Sequence, residues 1–145
     1  MQAFIIESAN RPGEFARAAQ AIATRDINVA AISLAIGSRG GTAFLARDEA
    51  GVRSALSTAG LEYHEVPVLT IWLEDKPGTA AKAAKKLADA GVNIELFAPV
   101  EYTGGKATIA IGVDKLEDAR RALADQAIEW MVPESTHAGI GVTAM

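Results

Sequence analysis

The sequence predicts an α+β chain built from two copies of a ferredoxin-like βαββαβ unit, with antiparallel sheets and helices on one face. Three observations carry that expectation. The segment Asn10-Arg11-Pro12-Gly13 recurs as Asp75-Lys76-Pro77-Gly78, an offset of 65 residues. The same offset lays Ile27-Asn28-Val29 on Val92-Asn93-Ile94. Around both matches, short β-favouring runs alternate with stretches whose apolar residues recur at helical spacing. Seven of the twenty pairs from Asn10/Asp75 to Val29/Ile94 are identical. Thirty of the 145 residues are alanine, so the Pro-Gly and Asn matches weigh more than the shared alanines. By Leu56/Leu123 the offset has grown to 67, as small insertions in the second copy would produce.

The elements follow in order. Phe4–Ile6 and Val68–Leu73 read as first strands, each ending before a Pro-Gly. The first helix of one copy puts Phe15, Ala18, Ala19 and Ile22 on its apolar face, and its counterpart uses Ala80, Ala83, Ala84 and Leu87. Pro12 and Pro77 suit a first helical turn, with Asn10 and Asp75 as nearby caps. Second strands are expected at Val29–Ile36 and Ile94–Val100, and returning strands at Thr42–Ala46 and Ala107–Val113. Gly40-Gly41 and Gly104-Gly105 would supply the positive φ of the two hairpins. Second helices carry Val52, Ala55, Leu56 and Ala59, then Leu116, Ala119, Leu123 and Ala127. Closing strands are expected at Glu62–Val66 and Ile128–Val132, with Pro67 breaking the chain between copies. The domains are therefore drawn at residues 1–66 and 67–133, with 134–145 a tail or extra strand in which Ile140-Gly141-Val142 could cover an edge.

Composition excludes several classes. The net charge of −4 and a pI near 5.2 argue against phosphate-neutralising surfaces and hence nucleic acid. Without cysteine there is no disulfide framework, thiolate nucleophile or cysteine metal site. No apolar run reaches the roughly 20 residues of a membrane span, and MQAFIIESAN lacks the basic start and apolar core of a secretory signal. A cytoplasmic protein without cofactors is expected.

The most informative feature is the repeated strand–turn–Pro-Gly–helix junction. A helix start offers free N–H groups and partial positive charge to a carboxylate, and Gly13 and Gly78 let a ligand approach the backbone. The Asn28 and Asn93 amides each offer a donor and an acceptor, which suits a free amino acid. The same residues also serve simply to start a helix and to turn its far end, and a duplication copies structural features as well as functional ones. His64 and His137 stand alone, without a third ligand at metal spacing. Trp72 and Trp130 read as packing residues, and Lys82, Lys85 and Lys86 as a solvated helix face. Gly139-Ile-Gly141 has no helix after it, so it is not a dinucleotide fingerprint.

The succession of strand, Asn/Asp-Arg/Lys-Pro-Gly, alanine-rich helix, and Asp-Ile-Asn-Val or Gly-Val-Asn-Ile, present twice over residues 1–133, resembles the ACT domain. The resemblance implies a non-enzymatic sensor of an amino acid or related small metabolite, with the ligand at an interface between paired domains. It also implies a separate regulated metabolic enzyme as partner, since two sensor copies fill the chain, and it admits a homodimer. Carried over by motif, the ligand contacts are Asn10, Gly13, Glu14, Phe15, Asn28 and Val29 in the first copy. In the second copy they are Asp75, Gly78, Thr79, Ala80, Asn93 and Ile94. Because Asp75 adds a carboxylate where Asn10 is neutral, the expected ligand lies closer to the first turn. Competing readings are a small ferredoxin-like enzyme, such as an acylphosphatase-like hydrolase using Arg11 and Asn28, and a ligand-free interaction module. An RNA-recognition or metal-chaperone role on this topology is disfavoured by the acidic charge, sparse aromatics and absent Cys-x-x-Cys.

Overall fold

A computed structural model of the chain describes residues 1–134. The element order is β1 (Gln2–Ala9), α1 (Glu14–Ala23), β2 (Val29–Ile36), β3 (Arg39–Ala46), α2 (Glu49–Thr58) and β4 (His64–Glu74), followed by α3 (Thr79–Asp89), β5 (Ile94–Thr103), β6 (Lys106–Val113) and α4 (Leu116–Ala122). The chain divides into two compact units. The first comprises Gln2–Glu65 together with residues 131–134; the second comprises Val66–Trp130 and Met1.

In the first unit β3 is central and pairs antiparallel with β1 and with β2. Phe4, Ile6, Ile22, Phe44, Val52, Leu56 and Leu61 form its core, with Ala18, Ala31 and Ala46 among them. Those alanines, buried where helix meets sheet, keep the two layers close. The second unit repeats the plan: β6 is central, between β4 and β5. Its core contains Leu69, Ile71, Leu73, Leu87, Ile109, Ile111, Val113 and Leu123, again with buried alanines at 83, 107 and 119. The α+β class, the βαββαβ units and the antiparallel sheets are thus as read from the sequence.

Several local expectations are corrected. The first hairpin turns at Gly37-Ser38, with Ile36 opposite Arg39 and positive φ only at Gly37, as in a type II′ turn. Gly40 and Gly41 lie within β3 instead, and a Cβ at Gly40 would come within 3.3 Å of Ser8 Oγ. Gly104 and Gly105 do supply the second turn, with φ of 60° and 75°. Pro67 does not break the chain: it lies inside β4, one strand from His64 to Glu74. Residues 128–132 form no strand. Here an isolated bridge joins Ile71 to Ala127, Ile128 N donates to the Thr70 carbonyl at 2.9 Å, and Thr70 Oγ1 donates to the Ile128 carbonyl at 2.6 Å. The last of these bonds satisfies the hydroxyl of Thr70, which is buried on the face of β4 opposite Leu69, Ile71 and Leu73. Ala127 therefore lies beyond α4, which ends at Ala122.

The caps differ too. Gly13 and Gly78 are the N-caps of α1 and α3, so Pro12 and Pro77 precede the helices. Asn10 does not cap; its amide donates to the Gly37 carbonyl at 2.9 Å and ties the junction to the hairpin. Phe15 remains 42% exposed, although its ring stacks on Phe44 at 6.3 Å. Ala59 is exposed at the end of α2. Ile140-Gly141-Val142, the Gly139-x-Gly141 pair and His137 lie outside the described residues.

At α2 the Asp48 side chain accepts from Gly51 N at 2.9 Å. A Cβ at Gly51 would stand 2.2 Å from Asp48 Oδ2 and 2.7 Å from Ile27 Cδ1. Despite the better helix propensity of alanine, Gly51→Ala is expected to destabilise the chain by about 1–3 kcal/mol through overpacking and loss of the cap. Urea unfolding of variant and parent measures it.

Candidate functional site

The two strand–helix junctions have nearly the same backbone. Gly13 has φ 90°, ψ −12° and Gly78 φ 88°, ψ −12°. Neither helix start receives a side-chain cap, and nothing lies within 4 Å of a Cβ placed on either glycine. Each junction thus presents helix N–H groups beside open backbone, the arrangement that accepts an anion.

Their side chains diverge. In the first unit Arg11 Nε donates to Glu14 at 2.5 Å and Arg17 Nη2 at 3.4 Å, and the Glu14 side chain is only 12% exposed. The hydrogen bond from Arg11, reinforced by the positive charges of Arg11 and Arg17, holds the Glu14 carboxyl below its ordinary value. In the second unit Thr79 Oγ1 donates to the carbonyls of Glu74 at 2.8 Å and Lys76 at 3.1 Å, which turns its hydroxyl towards the backbone. Glu74 pairs with Lys76, and this bond together with the charges of Lys76, Lys106 and Lys82 lowers its carboxyl. Lys106 also lies over the Trp72 ring, 4.1 Å from its centroid. Asp75 is exposed, its N–H donating to the Gly105 carbonyl at 2.9 Å, and Ala80 is exposed on α3.

The asparagines lie elsewhere. Asn28 and Asn93 follow the far ends of α1 and α3, so within a unit a helix about 15 Å long separates each from its Pro-Gly turn. Asn10, Gly13, Glu14 and Phe15 are gathered at one end of the first unit; Asn28 and Val29 are at the other. Asp75, Gly78, Thr79 and Ala80 are likewise apart from Asn93 and Ile94. Asn28 Nδ2 donates to the Pro133 carbonyl at 2.8 Å. It lines a groove of about 410 Å³ with Arg25, Asp26, Ile27, Arg47, Asp48, Pro133 and Glu134. In the second unit the corresponding loop closes on itself: Asp114 Oδ1 accepts from Asn93 N at 2.9 Å.

Arg25, Asp26 and Arg47 were not singled out from the sequence. The signal for them was a difference between copies, since Arg25 and Asp26 align with Ala90 and Gly91. Asp26 holds φ 56°, the one positive value outside glycine among the described residues. A separate small cavity of about 200 Å³ is lined by Ile5, Glu7, Glu62, Tyr63 and His64. Among the described residues no three His, Asp or Glu side chains stand together as a metal site would require, and no helix is long and apolar enough to cross a membrane.

No protein-family model matches the chain, and no curated protein does. Solved structures do. The chain is similar to a protein of Bacteroides thetaiotaomicron at 18% identity and TM-score 0.73, over 88% of this chain and 90% of that one. It is also similar to the ligand-free regulatory subunit of aspartate kinase from Thermus thermophilus, at 25% identity and TM-score 0.57 over 86% and 90%. The corresponding subunit from Thermus flavus gives 25% and 0.55 over the same shares. Such regulatory subunits are ACT-domain proteins, and the two βαββαβ units of this chain have the ACT-type fold that the repeated motif resembles.

The lowered Glu14 carboxyl predicts a pH effect of defined sign. Its contribution to stability is present above the ordinary value of 4.5 and is lost as pH falls through the lower folded value. Glu14→Gln should therefore flatten the acid limb of a stability–pH curve below about 4.5 and leave its neutral shape unchanged. Denaturant unfolding at a series of pH values checks it.

Proposed function

We propose that the chain is a non-enzymatic regulatory protein that binds an amino acid or a closely related metabolite and influences a separate enzyme of amino-acid metabolism. The observation that carries this is the pair of uncapped helix starts behind open, positive-φ glycines at 13 and 78. They offer N–H groups to a carboxylate twice in one chain. In each unit the Pro-Gly turn and the asparagine are too far apart for one small molecule to touch both. That separation favours a ligand held between paired domains, near the Pro-Gly turns. Likeness to regulatory subunits of aspartate kinase supports a regulatory role and a metabolic enzyme as partner. Binding would bias two arrangements of paired domains, and the partner would read the change.

The proposed assembly is a homodimer. Among the described residues of the first unit β2 has β3 as its one strand partner, yet Leu34 is 65% and Ile36 77% exposed on it. A bare apolar edge of this kind is a pairing surface unless something covers it.

Two measurements test the reading. A thermal-shift screen against the twenty amino acids should find at least one stabilising ligand, worth about 2.7 kcal/mol at 100 times its dissociation constant. Calorimetry should then show a larger loss of binding for Asn28→Ala than for Asn93→Ala; equal losses contradict a ligand favouring the first copy, and no stabilising amino acid contradicts the sensor itself. Leu34→Lys should shift the chain towards monomer in sedimentation velocity, with the thermal midpoint of the isolated fold little changed.

A further inference from the structure

The four described residues after Trp130 are held on the first unit by two side chains. Asn28 Nδ2 donates to the Pro133 carbonyl at 2.8 Å and Arg47 Nε to the Val132 carbonyl at 3.3 Å. Arg47 Nη1 donates to Glu134 Oε1, also at 3.3 Å. Val132 alone among the four is buried, at 1% exposure. The Glu134 carboxylate is largely in water, so its ion pair contributes little, and the hold rests on Val132 and the two bonds to backbone carbonyls.

This strap forms one wall of the 410 Å³ groove. Its other walls carry both signs of charge. Arg25, Arg47 and the Asn28 amide are donors for a carboxylate, and Asp26 and Asp48 are acceptors for an ammonium group. That pattern matches a free α-amino acid and opposes a phosphate ester, which the aspartates would repel. The strap already fills the carboxylate half, with carbonyls and the Glu134 carboxylate on Asn28 and Arg47.

The second copy lacks this chemistry. In the ladders Val29 faces Ala46 and Ile94 faces Val113, so Arg47 corresponds to Asp114, and Arg25 aligns with Ala90. Both arginines are gone, Asp114 is bonded to Asn93 N, and Lys115, which stands where the first copy has Asp48, is spent on the Gly91 carbonyl at 3.1 Å. The groove is a feature of the first unit.

We infer that residues Val132–Glu134 are a displaceable internal competitor: an α-amino acid entering the groove takes the Arg47 and Asn28 donors and releases the strap from Val132 onward. The inference rests on the proposed amino-acid binding, but places it in the first unit at the Asn28 end of α1 instead of at the Pro-Gly turn, and adds a mechanical output. The chain has no cysteine, so Val132→Cys in the full chain carries a single buried thiol whose maleimide labelling rate reports strap opening. Each of the twenty amino acids serves in turn as probe. The stabilising one should accelerate labelling about tenfold, and Arg47→Gln added to this background should label comparably fast with no amino acid present. Stabilisation without faster labelling, or slow labelling of the Arg47→Gln form, overturns the strap while leaving amino-acid binding standing. No stabilisation and no acceleration by any of the twenty overturns both. Should Val132→Cys not fold, hydrogen exchange in peptides spanning 128–134 of the unaltered chain reads the same opening: faster exchange with the stabilising amino acid supports the strap, and unchanged exchange overturns it.

Discussion

The arrangement at Asn28 depends on one constraint, the register of the β2–β3 ladder. Val29 faces Ala46, so the next residues outward, Asn28 and Arg47, leave the sheet at the same end. The type II′ turn at Gly37-Ser38 fixes that register from the opposite end, where Ile36 faces Arg39. A slip of one residue would turn Ala31 and Phe44 out of the core, so the same burial that holds the sheet together holds the donor pair in place. The ladder between β5 and β6 sets the equivalent junction, with Ile94 facing Val113. There it delivers an aspartate, and the loop is satisfied internally.

Local chemistry was legible wherever a single element determined it. Val29–Ile36 reads as a strand because its apolar, β-branched content has no competing helical period, and the structure gives β2 those bounds. Gly104-Gly105 reads as a turn and is one. Gly40-Gly41 misled because Gly-Gly signals a turn only in the absence of a closer alternative, and Gly37-Ser38 makes the tighter hairpin. Pro67 misled for a related reason: proline is excluded from a strand only where its missing N–H is needed by a partner. Phe15 has helical spacing that points inward, but the sheet beneath is already filled by Phe44, and the ring stacks outside it.

The Asn28–Pro133 bond spans 105 residues and follows from no local pattern. Burial of Val132 is what brings the segment to that place, and a lone valine in an irregular stretch carries no periodic signal. Arg25 and Arg47 were hidden differently. Each lies in a loop or at a strand end, where arginine is ordinarily a solvated charge, and only the fold shows that both face one groove with Asp26 and Asp48. Position by position, once the ladders have fixed the alignment, the copies agree in the backbone of the Pro-Gly turns and differ in the charges around them.

That difference has a physical consequence at the Pro-Gly turns as well. A helix start stabilises whatever negative charge lies nearest, and at α1 the protein supplies its own in Glu14, already neutralised by Arg11 and Arg17. A ligand carboxylate arriving at Gly13 must therefore share that field with a resident carboxylate, or take the arginines from it. At α3 the first helical residue is the uncharged Thr79, its hydroxyl turned back to the Glu74 and Lys76 carbonyls, while Lys82 and Lys106 add positive charge nearby. The neutral Asn10 and charged Asp75 thus describe only part of the contrast, since Glu14 and the lysines act in the opposite sense. For the proposed ligand, preference between the copies would be a balance of whole charge sets around two turns whose glycines share the same φ and ψ, and a single exchanged residue at the turn would not set it.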